Sequence, residues 1–415
     1  MAPEIIDPHV TDAPWLSIVG IGEDGLAGLG EKAIAAISGA DFVFGGKRHL
    51  HLAANAIQGE ARPWPQPFDP AMEAVLSLRG RTVCVLASGD PFFFGVGVTL
   101  ARHICKGEFI CYPAPSAFSL SASRLGWPLQ EVETVSLHGR SIDLIRPHLH
   151  PGRRLLALTS DGEAPAAIAR LLVSAGFGKS RLTILEALGG EKERQRTILA
   201  EDFDLEDIDP LNILAIELVA ETSARILPLG FGLPDALFEH DGQITKSEIR
   251  AMTMAALAPR RGELLWDIGA GSGSIGIEWM LSHPSMRAVA IEHHPERAAR
   301  IGRNAHAFGV PGLQVVEGKA PFALVDLPRP DAIFIGGGGS RDGVVDAALA
   351  ALPFGGRLVA NAVTLEMERV LLDAHARLGG RLIRVSLDRA EPVGGMTGWR
   401  PAMPVTQWSI IKEAL

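Results

Sequence analysis

The stretch Trp266–Gly276, WDIGAGSGSIG, decides the fold of the half of the chain that contains it. The apolar run ELLWDI leads in and an amphipathic SIGIEWML follows, so the glycines stand between a strand and a helix. At Gly269, Gly271 and Gly273 the missing Cβ lets the chain turn tightly and lets a ligand approach the backbone. Nineteen residues beyond Gly273, Glu292 ends the next apolar run in AIEHH, placed to accept hydrogen bonds from a ribose diol. The spacing alone does not choose the ligand. Gly271, Gly273 and Gly276 also satisfy GxGxxG with an acid at about the dinucleotide distance, so an NAD-binding domain competes. Three features weigh toward a sulfonium cofactor. Asp267, two residues before the first glycine, would attract a sulfonium and its ammonium group but repel a pyrophosphate. No second mononucleotide half of matching length follows. The chain also finishes on two long strands, RLIRVSL and VTQWSII, with no helix between them.

Outward from this turn, helical KSEIRAMTMAAL precedes it, and strands RAVAIEH, LQVVEG, DAIFIGG and GRLVANAV alternate with helices after it. Seven strands with helices between the early ones predict a doubly wound sheet. The loop IFIGGGGS follows the fourth strand, where many nitrogen methylases carry a polar Asn/Asp-Pro-Pro motif. A carbon nucleophile needs no lone pair oriented, and Gly336 and Gly337 leave room for a broad flat substrate at the sheet edge where ligands bind. Asn361, at a strand end in VANAVTLE, is read either as a substrate-orienting amide or as a strand-end cap.

Before ILPLGFGLPDALF, where the boundary falls near residue 230, the first half also alternates strands with helices. Its strand candidates are LSIVGIG, DFVFGG, TVCVLASG, FICYPAP, ETVSLHG, RLLALTS, RLTILEALG and NILAIELV. Arg48 and His49 in GGKRHL, and His138 and Arg140 in SLHGR, are candidates for gripping substrate carboxylates; solvated surface charge is the competing reading. His51, His148 and His150 have no metal-ligand spacing, and no metal is expected.

The whole chain sets the frame. At 415 residues it is long for one core, and 47% hydrophobic with 21% charged residues is a globular composition. The start MAPEIIDPHVTDAPW has neither the basic nor the apolar part of a signal peptide, and no apolar run approaches the ~20 residues of a membrane span. Cys84, Cys105 and Cys111 fit neither a disulfide framework nor a CxxC site, as expected of a reducing cytoplasm. A net charge of −9 argues against a nucleic-acid partner. It also means that a polyanionic small substrate must be held by local clusters of Arg, Lys and His.

The motifs carry two resemblances. WDIGAGSGSIGIEWM, AIEHHPERAARIGRNA, VVEGKAP, DAIFIGGG and the lead-in DGQITKSEIRA resemble the decarboxylating precorrin methyltransferase domains of cobalamin biosynthesis, over about residue 232 to the end. That resemblance implies a Rossmann-like class I methyltransferase fold over 232–415. It implies S-adenosylmethionine contacts at Thr245, Gly269, Gly271, Gly273, Glu292 and around Ala320. Lys319 stands where this class often has an acid for the adenine amine, which leaves a backbone contact from Ala320. SIVGIGEDGLAGL, ASGDPFFFGVG and YPAPSAFSLSASRLGWP resemble the tetrapyrrole methylase family, an α/β fold of two subdomains around a cleft, here over 12–226. VFGGKRHL and SLHGR are similar to its branch that methylates C5 of the precorrin ring. This implies cofactor contacts at Ile21, Asp90, Phe93, Ser116, Ala117 and Leu188, although for at least one of Phe92, Phe93 and Phe94 an ordinary core position is the better reading. Together the resemblances imply one S-adenosylmethionine per domain, C5 methylation by the first, and C15 methylation with loss of the C12 acetate carboxyl by the second. They imply a tetrapyrrole partner and a cytoplasmic enzyme; a homo-oligomer is expected. No catalytic residue is assigned, because an activated methyl and an enamine-like carbon need chiefly positioning in a dry cleft. Two alternatives stay open: a cobalt-containing substrate, and one half serving only as a cofactor-binding module.

Overall fold

Four short apolar runs of the first half and one polar edge segment pair as one all-parallel sheet: β1 (Leu16–Ile21), β2 (Phe42–Gly45), β3 (Glu60–Pro63), β4 (Val83–Ser88) and β5 (Phe109–Tyr112), in the order β3-β2-β4-β1-β5. These come from a computed structural model, which describes residues 14–65 and 70–413. The N-terminal stretch, including the first two residues of the expected 12–226 domain, lies outside the described residues apart from Pro14 and Trp15. β1 and β4 are buried along nearly their whole length, as central parallel strands covered on both faces must be.

A second sheet follows: β6 (Val132–Ser136), β7 (Arg154–Leu158), β8 (Arg181–Glu186), β9 (Arg194–Leu199) and β10 (Asn212–Glu217), in the order β6-β7-β10-β8-β9. Only β6 and β7 run parallel; the other neighbours are antiparallel. β3 and β9 were not anticipated from the sequence. EARP is four residues ending in proline, and RQRTIL carries two arginines and lies at an edge; both are mostly exposed or half-buried, so neither shows an apolar alternation.

The second half forms a seven-stranded sheet from β11 (Leu264–Ile268), β12 (Arg287–Glu292), β13 (Gln314–Glu317), β14 (Ala332–Ile335), β15 (Arg357–Ala362), β16 (Arg381–Val385) and, last in the chain, β19 (Val405–Ile411). Its order is β13-β12-β11-β14-β15-β19-β16; β11 to β15 are mutually parallel, and β19 inserts antiparallel between β15 and β16. A dinucleotide-binding sheet continues in parallel with a second mononucleotide half. The inserted antiparallel strand removes that option. Between β16 and β19 the chain makes a hairpin, β17 (Asp388–Val393) with β18 (Met396–Pro401), where the sequence reading placed only a connection. The chain divides into two compact units between Arg225 and Ile226, with Asp143–Leu149 belonging to the unit of the later residues. Among the described residues no helix is long and apolar enough to cross a membrane.

Candidate functional site

In the second half the C-terminal edge of the parallel strands opens into a cavity of about 470 Å³. That size lies within the ~300–1,000 Å³ usual for small-molecule sites. Gly269 and Gly271 form its floor, both at positive φ. A Cβ on Gly269 would lie 2.4 Å from the Gly337 carbonyl oxygen, and one on Gly271 would lie 3.1 Å from that of Gln243. The glycines are therefore required by close backbone approach as well as by the turn. Glu292 ends β12 with only 3% of its surface exposed, yet it lines the cavity. Its carboxylate is fixed by two backbone donors, Gly271 N–H to Oε2 (2.9 Å) and His294 N–H to Oε1 (3.0 Å). Thr245, Ala320, Gly336, Gly337 and Asn361 also line this space.

Two expected contacts fall elsewhere. Gly273 does not line the cavity; a Cβ there would meet Ile301 at 2.8 Å, so its glycine serves packing against helix Pro295–Ala307. Asp267 is fully buried beneath the turn and does not line this cavity. Its Oδ2 accepts from Gly276 N–H at 3.0 Å, in the first turn of helix Ser274–Leu281, and its Oδ1 has no partner among the described residues. Burial pushes its carboxyl up to about 7, with the nearby Glu292 charge adding to the rise. The electrostatic argument that set Asp267 beside a sulfonium is corrected: the residue supports the glycine turn from behind.

Asn361 reaches the cavity wall, but its amide is committed inward. Nδ2 donates to Thr253 Oγ1 (2.9 Å) and Oδ1 accepts from Gln407 Nε2 (2.9 Å). The lead-in segment is held by a buried ion pair that the sequence did not reveal. Arg250, with no exposed surface, donates to Glu278 and to the carbonyls of Leu233 and Thr245, while Glu278 also accepts from the N–H groups of Gly232 and Leu233. These bonds hang the wall that carries Gln243 and Thr245 on helix Ser274–Leu281.

The cavity has a charge pattern invisible in the chain's net charge. Five cations line it (Lys246, Arg297, Lys319, Arg341 and Arg389) against one acid, Glu292. Val363, Val385, Leu387 and Met403 form an apolar side on the β15, β16 and hairpin end. Glycines that a Cβ would block, a fixed carboxylate at a strand end and apolar Ile268, Ile291 and Ala320 fit a nucleoside-bearing sulfonium.

In the first half the ends of β1, β4 and β5 converge backbone to backbone. Gly89 N–H donates to the Ile21 carbonyl (3.1 Å) and Ala114 N–H to the Gly89 carbonyl (3.2 Å). A Cβ on Gly20 would sit 1.8 Å from the Gly89 oxygen, and Gly89, at φ +54°, would strike the Pro115 carbonyl at 2.9 Å. Ser116 caps helix Ala117–Leu125 by accepting from Ser119 N–H, and Asp90 Oδ1 accepts from Phe92 N–H. Phe93 packs on Phe118 (5.0 Å between ring centres), and Phe118 shares a core cluster with Leu188, against which Ala117 packs. Ile21, Asp90, Phe93, Ser116 and Ala117 thus lie around the ends of β1, β4 and β5, and Leu188, after β8 of the other sheet, joins them through the Phe118 cluster. Phe92, Phe93 and Phe94 are each more than a third exposed, so none of the three is core. The cradle of Gly20 and Gly89, with half-buried Asp90 and exposed rings beside it, fits the same kind of ligand.

Arg48 and His49 are less free than expected. Arg48 pairs with Glu23 and donates to Ser88 Oγ (2.8 Å), and His49 Nε2 lies 2.8 Å from the same hydroxyl. Burial, with Arg48 adjacent, lowers His49 to about 4, so its ring is neutral at pH 7 and is not the cationic grip that was expected. His138 and Arg140 are exposed on the loop after β6, with His138 Nδ1 3.2 Å from the Thr159 carbonyl. Among the described residues no cluster of three His, Cys, Asp or Glu is arranged to hold a metal ion.

Known proteins share both halves. Residues 16–204 match the family described as tetrapyrrole (corrin/porphyrin) methylases, and residues 236–412 match the precorrin methyltransferase domain family. A Sinorhizobium protein named precorrin-6Y C(5,15)-methyltransferase [decarboxylating] is 66% identical over 96% of this chain and 97% of its own length. A Mycobacterium tuberculosis protein of the same name is 43% identical over 95% of this chain and 99% of its own. A Salmonella typhimurium protein named cobalt-precorrin-6B C(15)-methyltransferase (decarboxylating) is 31% identical over 41% of this chain and 90% of its own.

Proposed function

Because the chain belongs to the family of decarboxylating precorrin-6Y C(5,15)-methyltransferases, we propose that residues 12–226 methylate C5 of a metal-free precorrin and residues 232–415 methylate C15 and remove the C12 acetate carboxyl. One observation carries this reading: identity to a relative of that name runs almost end to end, across both glycine cradles. The metal-free substrate is favoured because the relatives matching nearly the whole chain are named for precorrin-6Y, whereas the cobalt-named Salmonella protein covers 41% of it.

The enzyme uses S-adenosylmethionine, which supplies an electrophilic methyl on sulfur. We assign one such site to each half, at Gly20 and Gly89 in the first and at Gly269, Gly271 and Glu292 in the second. The chain's own contribution is to bind, to orient and to exclude water. Rings at Phe93, Phe94 and Phe118 keep the first site dry, and Val363, Leu387 and Met403 give the second an apolar side. Such a side favours loss of a carboxylate, since the charged ground state is poorly solvated there.

Two full-length variants test the division of labour. Gly20→Ala should yield only product methylated at C15 and decarboxylated, and Gly269→Ala only product methylated at C5 that keeps every carboxyl. Mass spectrometry with position-labelled precorrin distinguishes them. Calorimetric titration should count two S-adenosylhomocysteine sites in the wild type and one in each variant. The reverse product pattern, or a single site in the wild type, would sink the assignment.

A further inference from the structure

Of the five cations around the second cavity, three are already neutralised. Arg297 donates to Asp241 (2.9 Å), Arg389 to Glu248 (2.6 Å), and Lys246 lies 3.4 Å from Asp235. Among the described residues, Lys319 and Arg341 have no acidic partner. The sheet order separates these two. Lys319 follows β13, on the outer side of β12, next to Ala320 and the Glu292 strand end where the cofactor's nucleoside is assigned. Arg341 lies in the loop after β14, on the other side of β11, where the wall turns apolar through Val363, Leu387 and Met403. Its loop also carries Gly336, Gly337 and Gly338 along the cavity, and Arg341, exposed at the loop's end, lines both this cavity and a neighbouring one with Asp342, Asp346 and Asp373.

We infer that Arg341 is a substrate-positioning residue that takes a peripheral carboxylate of the macrocycle in a bidentate grip and so sets which meso carbon faces the methyl donor. The inference rests on the proposed C15 chemistry of this half. An acidic chain repels a polycarboxylate in bulk, so its entry depends on cations left without internal partners, and the planar fork of arginine matches a carboxylate with two parallel hydrogen bonds. The group it holds is one that remains on the ring. A guanidinium on the departing carboxylate would stabilise it and slow the loss of carbon dioxide.

The test uses the full-length chain with Arg341→Ala and Arg341→Lys. In Arg341→Ala, KM for the precorrin at the C15 step should rise about 10-fold, as expected for loss of a charge-assisted grip. KM for S-adenosylmethionine should change less than about twofold, because Arg341 lies away from the nucleoside side. Arg341→Lys, which keeps the charge but not the fork, should recover part of the loss. Binding read without turnover, by the precorrin's visible absorbance in the presence of S-adenosylhomocysteine, should weaken by the same factor. An unchanged precorrin KM and binding constant in Arg341→Ala, beside active wild type, overturns the assignment of Arg341 alone. Equal losses for precorrin and cofactor overturn it too, since they indicate a structural role. A wild-type chain that never methylates C15 removes both this inference and the function on which it rests.

Discussion

The two halves reach a backbone cradle by different routes. In the second, one strand-turn-helix supplies the floor: Gly269 and Gly271 lie within three residues, and Gly337 after β14 closes on the first and Gln243 on the second. In the first, the end of one strand and two loops far apart in sequence meet, with Gly20, Gly89 and Pro115 at contact distances that no side chain would allow. The difference teaches that a glycine floor can be a local or a tertiary object. A local one tolerates movement of its surroundings better, because its geometry is set by adjacent dihedrals. A tertiary one is only as exact as the packing of three strands.

The largest test concerns what holds each half in place. Glu278 is buried against Arg250 in the second half, and Glu186 against Arg194 and Arg196 in the first. Replacing either by Ala removes the buried carboxylate from its arginines. The Arg250 side chain is fully buried and keeps only Asp235, 3.2 Å away, so Glu278→Ala should destabilise the second half by up to about 3–5 kcal/mol. Arg194 and Arg196 are 47% and 22% exposed and can turn to water, so Glu186→Ala should cost well under that figure. Chemical denaturation followed by a probe in each half measures both; equal costs would break the contrast.

Next are the cradles themselves. Gly269→Ala adds both a left-handed strain and a clash, each worth ~1–3 kcal/mol, so C15 methylation should fall about 100-fold. Gly20→Ala has the tighter contact, and β1 and the loops after β4 and β5 must shift to relieve it, so C5 methylation should fall at least as far. Rates measured separately at the two positions would decide this, and a milder Gly20 variant would show the tertiary cradle to be the softer one. A smaller effect is expected from Glu292→Gln, which keeps one acceptor oxygen but loses the charge and sets an NH2 donor against one of the two backbone N–H groups: cofactor affinity of the second site alone should weaken by about 10-fold.

Two effects of pH are opposite in sign. His49, held below its ordinary 6.5 to about 4, contributes stability above pH 6.5 that is lost as pH falls toward 4. Asp267, raised from 3.8 to about 7, contributes stability below pH 3.8 that is lost as pH rises through 7. In ligand-free protein, His49→Gln should therefore flatten the acid side of the first half's melting curve. Asp267→Asn, which keeps an acceptor for Gly276, should flatten the second half's decline toward neutrality. Calorimetry at pH 4 to 8 reads both, and parallel slopes in wild type and variants would remove these two groups from the account.

Read alone, the sequence determined the two α/β halves, their glycine turns and the acid at the end of β12, because these are written in neighbouring residues: an apolar run, glycines at fixed steps, an apolar run again. It resolved WDIGAGSGSIG better than EARP or RQRTIL, whose exposed edge positions impose no pattern. Only the tertiary structure decided that β19 returns antiparallel beside β15, that a hairpin precedes it, that Asp267 faces inward, and that His49 is neutral. It alone separated neutralised cations from free ones, since Arg389 finds Glu248 141 positions away. Charge pairing and burial depend on distance in space, and a linear pattern of residue types carries that information only where the partners are close along the chain.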